Sequence, residues 1–473
     1  MHTDLAIIGA GPAGLAAAIE ADKLGLSTIL LDEQSQVGGQ IYRNIQTQKL
    51  THKNILGVDY YAGKSLSDDF QASACHYINQ ANVWQISPNG ELYYSRKGQA
   101  KKLTANHILL ATGAHERPFP IPGWTLPGVM TAGAAQTLLK SSGLAGQEAV
   151  FAGSGPLLYL IVYQYIQAGI KVKALLDTTP KKNYLSALKH LDSALKGWRH
   201  INKGLSLIKA IKAAGVPHIK GVTNLSALAH VDNQQPKQSG LHKVVYHAQG
   251  KPQEIHTEHL FLHQGVVPNI NLAMASGCEH DWFERQACWH PILDEWGQSS
   301  QAHISIIGDG AGISGAISAA LKGRLTAHNL AYQLNKISLE QRDRLCRPWR
   351  KSLNRELAFR PFLDTLYLPS KQFRQPSRDD VIVCRCEEVN YGEIKSAIQQ
   401  GCMGPNQLKS FTRCGMGPCQ GRQCGLTVTE IIATEQSQTA KETGYYRLRA
   451  PVKPLNLGEL ASLDNTEKEE SIK

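Results

Sequence analysis

The stretch DLAIIGAGPAGLAAAIEADKLGLSTILLDE, residues 4–33, decides how the rest of the chain is read. Its apolar run, Leu5 to Ile8, is short and bounded by glycine, as expected of a buried parallel strand. Gly9, Gly11 and Gly14 follow at G-x-G-x-x-G spacing. In that pattern the first glycine permits a tight turn and the second lets a pyrophosphate approach the backbone. The third lets the helix pack on the strand. A helix opening at Pro12 and Ala13 presents free N–H groups and a positive dipole end to the phosphates. The second strand, STILLDE, ends in Asp32 and Glu33, where an acidic side chain accepts ribose hydroxyls, and Asp32 is the preferred acceptor. VGGQIYR, residues 37–43, follows closely and supplies Gly39 and Gln40. The segment therefore predicts a strand–turn–helix–strand unit that binds a dinucleotide.

The 473 residues, 42% hydrophobic and 19% charged, describe about two to four ordinary globular domains. No stretch approaches the roughly 18 apolar residues of a spanning helix. The amino terminus enters a strand almost at once, which leaves no room for a signal peptide. The expectation is a cytoplasmic protein, with membrane association only peripheral and through partners. The formal charge of +11 raises the question of nucleic acid. Its densest part, Lys181 to Lys220, answers it. Leu185, Leu188, Leu191 and Leu195 recur at helical spacing with Lys182, Lys189 and Lys196 between them, which predicts a solvated amphipathic helix. No nucleic-acid module is present, so nucleic acid is excluded as a partner.

Two distant segments sharpen the nucleotide. HILLATGAHERPFPIPG, residues 107–123, is an apolar strand running into Ala111, Thr112 and Gly113. HISIIGDGAGISGAISAALKGRLTA, residues 303–327, is a strand, then Gly308, Asp309 and Gly310, then a small-residue helix. A carboxylate at a helix start also caps it, so Asp309 alone would prove little. The three motifs in this order resemble the FAD site of glutathione-reductase-like flavoproteins with two dinucleotide domains. The resemblance implies FAD, or another adenine nucleotide, in the first unit, with Asp309 near the ribityl chain. His115 and Glu116 read as residues that stabilise the turn, and no catalytic base is evident.

GQEAVFAGSGPLLYLIVYQYIQAGIKVKALLDTTP, residues 146–180, repeats the plan. Gly153 and Gly155 are present, but Leu158 occupies the place of the third glycine, whose role is packing. Asp177 ends the second strand and is available in principle to a ribose. The unit reads as a nicotinamide-type scaffold in which NAD(P) binding stays open. No C-x-x-C accompanies either unit, which excludes the redox disulfide of glutathione or thioredoxin reductases. Cys75, Cys278, Cys288 and Cys346 are scattered and read as buried or incidental.

The remaining thiols crowd together. VIVCRCEEVN carries Cys384 and Cys386, and SFTRCGMGPCQGRQCG, residues 410–425, carries Cys414, Cys419 and Cys424. A helix is expected near Glu393 to Gln400, stopped by Gly401, and another near Asn406 to Phe411. Four thiolates suit zinc or a [2Fe–2S] cluster, and the C-x-C pair, an awkward bite for one tetrahedral ion, leans towards iron–sulfur. Spacing alone does not choose among the later cysteines.

CRCEEV, TRCGMGPCQGRQCG and the trailing YRLRAPVKPLNLGELA resemble the cluster domain and tail of the opine oxidase A-subunit family. LLDEQSQVGGQIYR and ATGAHERPFPIPGWTLPGVMTAGAAQ resemble the same family, and the match runs from about residue 3 to 461. Its relatives include the corresponding subunits of hydrogen cyanide synthase and of proline and hydroxyproline dehydrogenases. The resemblance implies an α/β two-dinucleotide-domain fold with a small, mostly helical C-terminal domain resembling bacterioferritin-associated ferredoxin. It maps the cluster ligands to Cys384, Cys386, Cys419 and Cys424, with Cys414 as a buried neighbour. The expected organisation is an FAD domain over 1–125 and 261–335, an inserted NAD(P)-like domain over 126–260 and a linker over 336–378. A cluster domain over 379–435 and an extended tail over 436–473 follow.

The implied function is that of an electron-transferring subunit working with a D-amino-acid-oxidase-like FAD subunit, to which a small ferredoxin-like subunit and an interfacial FMN are further expectations. The partner would oxidise a C–N bond of an opine, (hydroxy)proline or glycine. The alternatives are a free-standing NAD(P)H reductase and a non-catalytic structural subunit. Past Leu463 the charged tail is expected to be disordered.

Overall fold

The computed structural model describes residues 1–48, 55–87, 89–230 and 240–463, so the stretch expected to be disordered beyond Leu463 lies outside it. The strand His2–Ile8 lies at the centre of the first sheet, parallel to Thr28–Leu31 on one side and to Gln99–Leu110 on the other. His76–Ile78 extends it beyond Thr28–Leu31. The 12-residue strand Gln99–Leu110 changes partners along its length. Its first half pairs antiparallel with Glu91–Arg96, while Ile108 to Leu110 pair parallel with Ile304–Ile306. The glycine-rich returns at Gly9, Thr112 and Gly308 thus emerge at one end of the sheet, where open α/β sheets place their ligands.

The helix Pro12–Lys23 follows the first strand, and almost all of its small residues are buried. Its tight fit against the helix Ala316–Gln333 has a simple cause: a Cβ on Gly323 would lie 2.2 Å from the Ala13 carbonyl oxygen. The second unit is an all-parallel sheet in the order His218–Lys220, Val172–Asp177, Ala149–Ser154, Leu260–Gln264, Val129–Thr131. Every residue of Ala149–Ser154 is buried, as its continuous apolar composition requires. An antiparallel ribbon, Thr223–Ala229, Leu241–Ala248 and Lys251–His256, packs its inner face on this sheet.

The leucine repeat departs from expectation. It is not one helix but Lys181–Ala187, a 3-10 turn Leu188–His190 and Leu191–Lys196. Leu185, Leu188, Leu191 and Leu195 face solvent at 71, 55, 54 and 74% exposure. The buried face carries Asn183, Ala187, Ser193 and Ala194 instead. It is anchored by Asn183, whose Nδ2 donates to the carbonyls of Leu366 and Leu368 at 3.0 and 2.8 Å. Helical spacing identified a stripe, but the small and polar side of the segment is the one that faces in.

The C-terminal lobe holds a small ribbon, Ile382–Cys384 with Val389–Asn390, and the helices Tyr391–Gln399, Pro405–Thr412 and Gly425–Glu435. Asn390 and Glu393 form a reciprocal capping box at the first helix, and Gly401 follows it with φ of 98°. The tail then returns to the first sheet, where the Val452 amide donates to the Trp84 carbonyl at 3.0 Å.

Candidate functional site

A cavity of ≈ 1830 Å³ opens at the carboxyl ends of the strands of both sheets. Gly9, Gly11, Pro12, Ala13, Asp32, Glu33, Gly39, Gln40, Thr112, Gly113, Gly308 and Asp309 all line it. Gly14 does not, because it acts in packing: a Cβ there would lie 1.9 Å from the Gly9 carbonyl oxygen. Gly9 itself turns with φ of 110°, and a Cβ on it would meet the Ala111 oxygen at 2.4 Å. The nearest atom to a Cβ on Gly11 is 3.9 Å away, so this glycine leaves room for a ligand to reach the backbone.

Asp32 accepts one hydrogen bond at each oxygen, from the amides of Ala10 at 2.5 Å and Gln34 at 2.7 Å. Glu33 points along the cavity and pairs with Lys453 of the returning tail. Burial raises the Glu33 pKa, but Lys453 and Arg422 more than offset it and hold the carboxyl below its usual range. Both carboxylates line the cavity, and each Asp32 oxygen keeps acceptor capacity for a ribose hydroxyl. Asp309 caps the turn before Ala316–Gln333, with Oδ1 accepting from Ser314 at 2.8 Å and Gly315 at 3.0 Å. The Thr112 hydroxyl donates to the Asn269 carbonyl at 3.0 Å, fixing the turn after the long strand.

Further residues line the cavity beyond the glycine turns. Glu116 Oε1 lies 2.7 Å from His263 Nδ1, while its other oxygen accepts from the Gly133 amide at 2.9 Å. His115, beside it, has an unpartnered buried Nδ1, and burial pushes its pKa down to about 4. Lys140 Nζ donates to the carbonyls of Gln40 and Ile41 at 3.2 and 2.9 Å. Burial and then Arg43 push its pKa down to about 7. Arg422 and Gln423 enter from the distant cysteine loop. These residues are brought together by tertiary contact, and only His115 and Glu116, after the Thr112–Gly113 turn, and Arg422, between two cysteines, had a motif beside them.

In the second unit Asp177 is not free for a ribose. It is 1% exposed, with Oδ2 accepting from the Tyr159 hydroxyl at 2.8 Å and Oδ1 from the Thr179 amide at 2.8 Å. His218 Nε2 lies 3.4 Å from Oδ2. Leu158 is fully buried at the third-glycine position, so that turn is packed with hydrocarbon.

The cysteines fall into two groups. The Sγ atoms of Cys384, Cys414 and Cys424 lie within 4.8 Å of one another, all buried. Cys386 is exposed and Cys419 half-buried, and their thiols face each other. Gly417 lets the outer pair approach: a Cβ there would come within 2.3 Å of the Cys386 Cβ. The Tyr446 hydroxyl donates to Cys414 Sγ at 3.4 Å. Hydrogen bonds from Cys414 and Cys424 outweigh burial and bring the Cys384 thiol down to about 2, whereas Cys384 pushes Cys414 up to about 12. Three crowded thiols can share one negative charge, and a thiophilic metal would let the others ionise. The donor set fits a metal or cluster held by thiolates. Cys402, which no motif singled out, is buried outside these groups and donates to the Gly404 carbonyl at 3.5 Å.

The fold and its neighbours now specify the class. Residues 3–172 match the pyridine nucleotide-disulphide oxidoreductase family, and residues 380–463 match the sarcosine oxidase A3 domain. The protein is thus an oxidoreductase of the FAD-dependent flavoprotein class. Within that class the chain belongs to the opine oxidase A-subunit family. It is 40% identical to the opine oxidase A-subunit of Rhizobium meliloti over 472 residues, 98% of this chain and 88% of the relative. It is 30% identical to hydrogen cyanide synthase subunit HcnB of Pseudomonas aeruginosa over 473 residues, 95% of this chain and 96% of the relative. The crystal structure of L-proline dehydrogenase from P. horikoshii shares the fold, with a TM-score of 0.70 at 18% identity over 97% of this chain and 79% of that one. Among the described residues, no helix is long and apolar enough to cross a membrane.

Proposed function

We propose that this chain is the electron-transferring subunit of a heteromeric dehydrogenase or oxidase acting on an opine, (hydroxy)proline or glycine. A D-amino-acid-oxidase-like FAD subunit removes two electrons and two protons across the substrate C–N bond, and water hydrolyses the resulting imine. The observation that carries this reading is the meeting of two sites: residues of the cysteine loop line the dinucleotide cavity itself. A flavin and an iron–sulfur centre together supply passage between two-electron and one-electron chemistry.

The chain's own residues give each site its character. Gly9, Gly11 and the helix start at Pro12 offer backbone donors to a pyrophosphate, while Asp32, with Glu33 beside it, takes a ribose. Cys384, Cys386, Cys419 and Cys424 are the proposed cluster ligands. Cys414, hydrogen-bonded by Tyr446, is their neighbour. FMN at the subunit interface and a small ferredoxin-like partner complete the proposed assembly. The organisation into flavin, nicotinamide-like and cluster domains is part of the same reading. A free-standing NAD(P)H reductase is disfavoured by the sequestered Asp177 and the packed Leu158.

The test is anaerobic purification followed by iron and acid-labile sulfide assays and EPR before and after dithionite. About two irons and two sulfides with a reducible signal support the relay. A colourless protein holding one zinc would remove it and leave the nucleotide fold alone.

A further inference from the structure

The loop between Cys419 and Cys424 does more than carry thiols. Arg422 and Gln423 line the same cavity as Gly9, Gly11 and Glu33, although they lie near opposite ends of the sequence. The loop is docked on the nucleotide body by Asn271, whose Nδ2 donates to the Gln420 carbonyl at 3.0 Å. Its own turn is closed by the Arg422 amide on the Cys419 carbonyl at 3.1 Å and the Gly425 amide on the Gly421 carbonyl at 2.7 Å. Gly421 takes φ of 77°, and a Cβ on it would lie 2.6 Å from the Tyr446 ring, so the backbone has little freedom on that side. Arg422 is thereby placed from two directions, by the nucleotide body and by the two flanking cysteines.

Among the described residues, the Arg422 guanidinium has no hydrogen bond or ion pair of its own. Glu33, the acidic group within its field, is already paired with Lys453. A guanidinium offers five N–H donors in a planar fork that matches phosphate oxygens. In a cavity whose glycine turn and helix start are shaped for a pyrophosphate, an uncommitted arginine has an evident counter-ion.

We propose that Arg422 is a nucleotide ligand, meeting the phosphates of an adenine nucleotide, and that metal occupancy of the cysteines and nucleotide occupancy of the cavity are therefore coupled. The proposal rests on the reading that the first cavity takes an adenine nucleotide and the cysteines a metal. The coupling follows from the short tether: Arg422 is three positions from Cys419 and two from Cys424. Metal binding fixes both flanks of the arginine, and linkage requires that nucleotide binding favours the metal-loaded loop in return.

The test uses the full chain, stripped of nucleotide, with ADP as the probe in titration calorimetry and adenosine as the phosphate-free control. Each titration is run with the cysteine site reconstituted and after anaerobic chelation. Arg422→Ala should weaken ADP roughly tenfold or more, the worth of one or two charge-assisted hydrogen bonds, and leave adenosine nearly unchanged. Arg422→Lys, which keeps the charge without the fork, should fall between and serves if the alanine variant folds poorly. Arg413→Ala, at an arginine paired with Glu387 outside the cavity, should bind ADP as the unaltered chain does. Chelation should weaken ADP in the unaltered chain and add little in Arg422→Ala. An Arg422→Ala variant that binds ADP normally, or loses adenosine equally, overturns the phosphate contact. Unchanged ADP affinity on chelation overturns the coupling. If the unaltered chain binds neither ADP nor FAD, the nucleotide reading itself falls, a result distinct from either.

Discussion

Replacing Glu430 with glutamine removes one charge from a buried group that joins the cysteine lobe to the nucleotide body. Glu430 lies on the helix Gly425–Glu435 at 5% exposure. It pairs with Arg374 at 2.8 Å and stands 3.9 Å from Arg117, which is itself buried just beyond the ATG turn. Breaking a buried pair from one side costs roughly 3–5 kcal/mol, because the remaining charge is stranded. Three observations place this case at the lower end. Arg117 keeps the carbonyls of Ala287 and Gln286 at 3.0 and 2.5 Å. Arg374 retains 20% side-chain exposure. Burial raises the Glu430 pKa despite both arginines, so its charged form is already costly. The expected loss is about 3 kcal/mol. The double variant Glu430→Leu with Arg374→Met should lose less than Glu430→Gln alone, since it strands less charge. Urea unfolding followed by circular dichroism, with limited proteolysis to report lobe separation, measures both. A loss below about 1 kcal/mol for Glu430→Gln, or a double variant weaker than the single, would refute the reasoning.

Three further outcomes are expected. Gly14→Ala should abolish flavin retention and cost on the order of 3 kcal/mol, because its Cβ would press on the Gly9 carbonyl; flavin content and urea midpoint read both. His107 is buried, and desolvation lowers its pKa from 6.5 to about 4. Its folded value is depressed, so its contribution is fully present above pH 6.5 and is lost as pH falls toward 4, by up to about 3 kcal/mol. His107→Gln should flatten that part of the stability–pH curve, and an unchanged curve would count against it. Cys384→Ser and Cys419→Ser should each lose bound iron, whereas Cys414→Ser should retain it, as metal analysis of purified chains would report.

What could be read early was local. Gly9, Gly11, Gly14 and the strand before them announce a nucleotide turn because each glycine answers a short-range steric demand. The helix Tyr391–Gln399 was legible for the same reason, through its Gly401 stop, while its Asn390 cap, which sets the start two residues before the expected Glu393, was not read. What escaped was set by distant contact. Asp177 looked like a ribose acceptor until Tyr159 and Thr179 were seen to take its oxygens. The two amides that Asp32 accepts from, beside its place on the cavity wall, were likewise not legible in the sequence. The pairing of Glu116 with His263 joins residues that no periodicity connects. The leucine repeat carried helical spacing, but its leucines face solvent while Asn183, Ala187, Ser193 and Ala194 face in.

That outward leucine face, interleaved with lysine, sets how the chain behaves in a tube. At low ionic strength the lysines keep copies apart; salt screens that repulsion over about 10 Å at 0.1 M and less above it. Sulfate also strengthens apolar association. Raising salt should therefore drive the isolated chain toward clumping. Ammonium sulfate would be a poor choice for its storage, and dilute, low-salt buffer a good one.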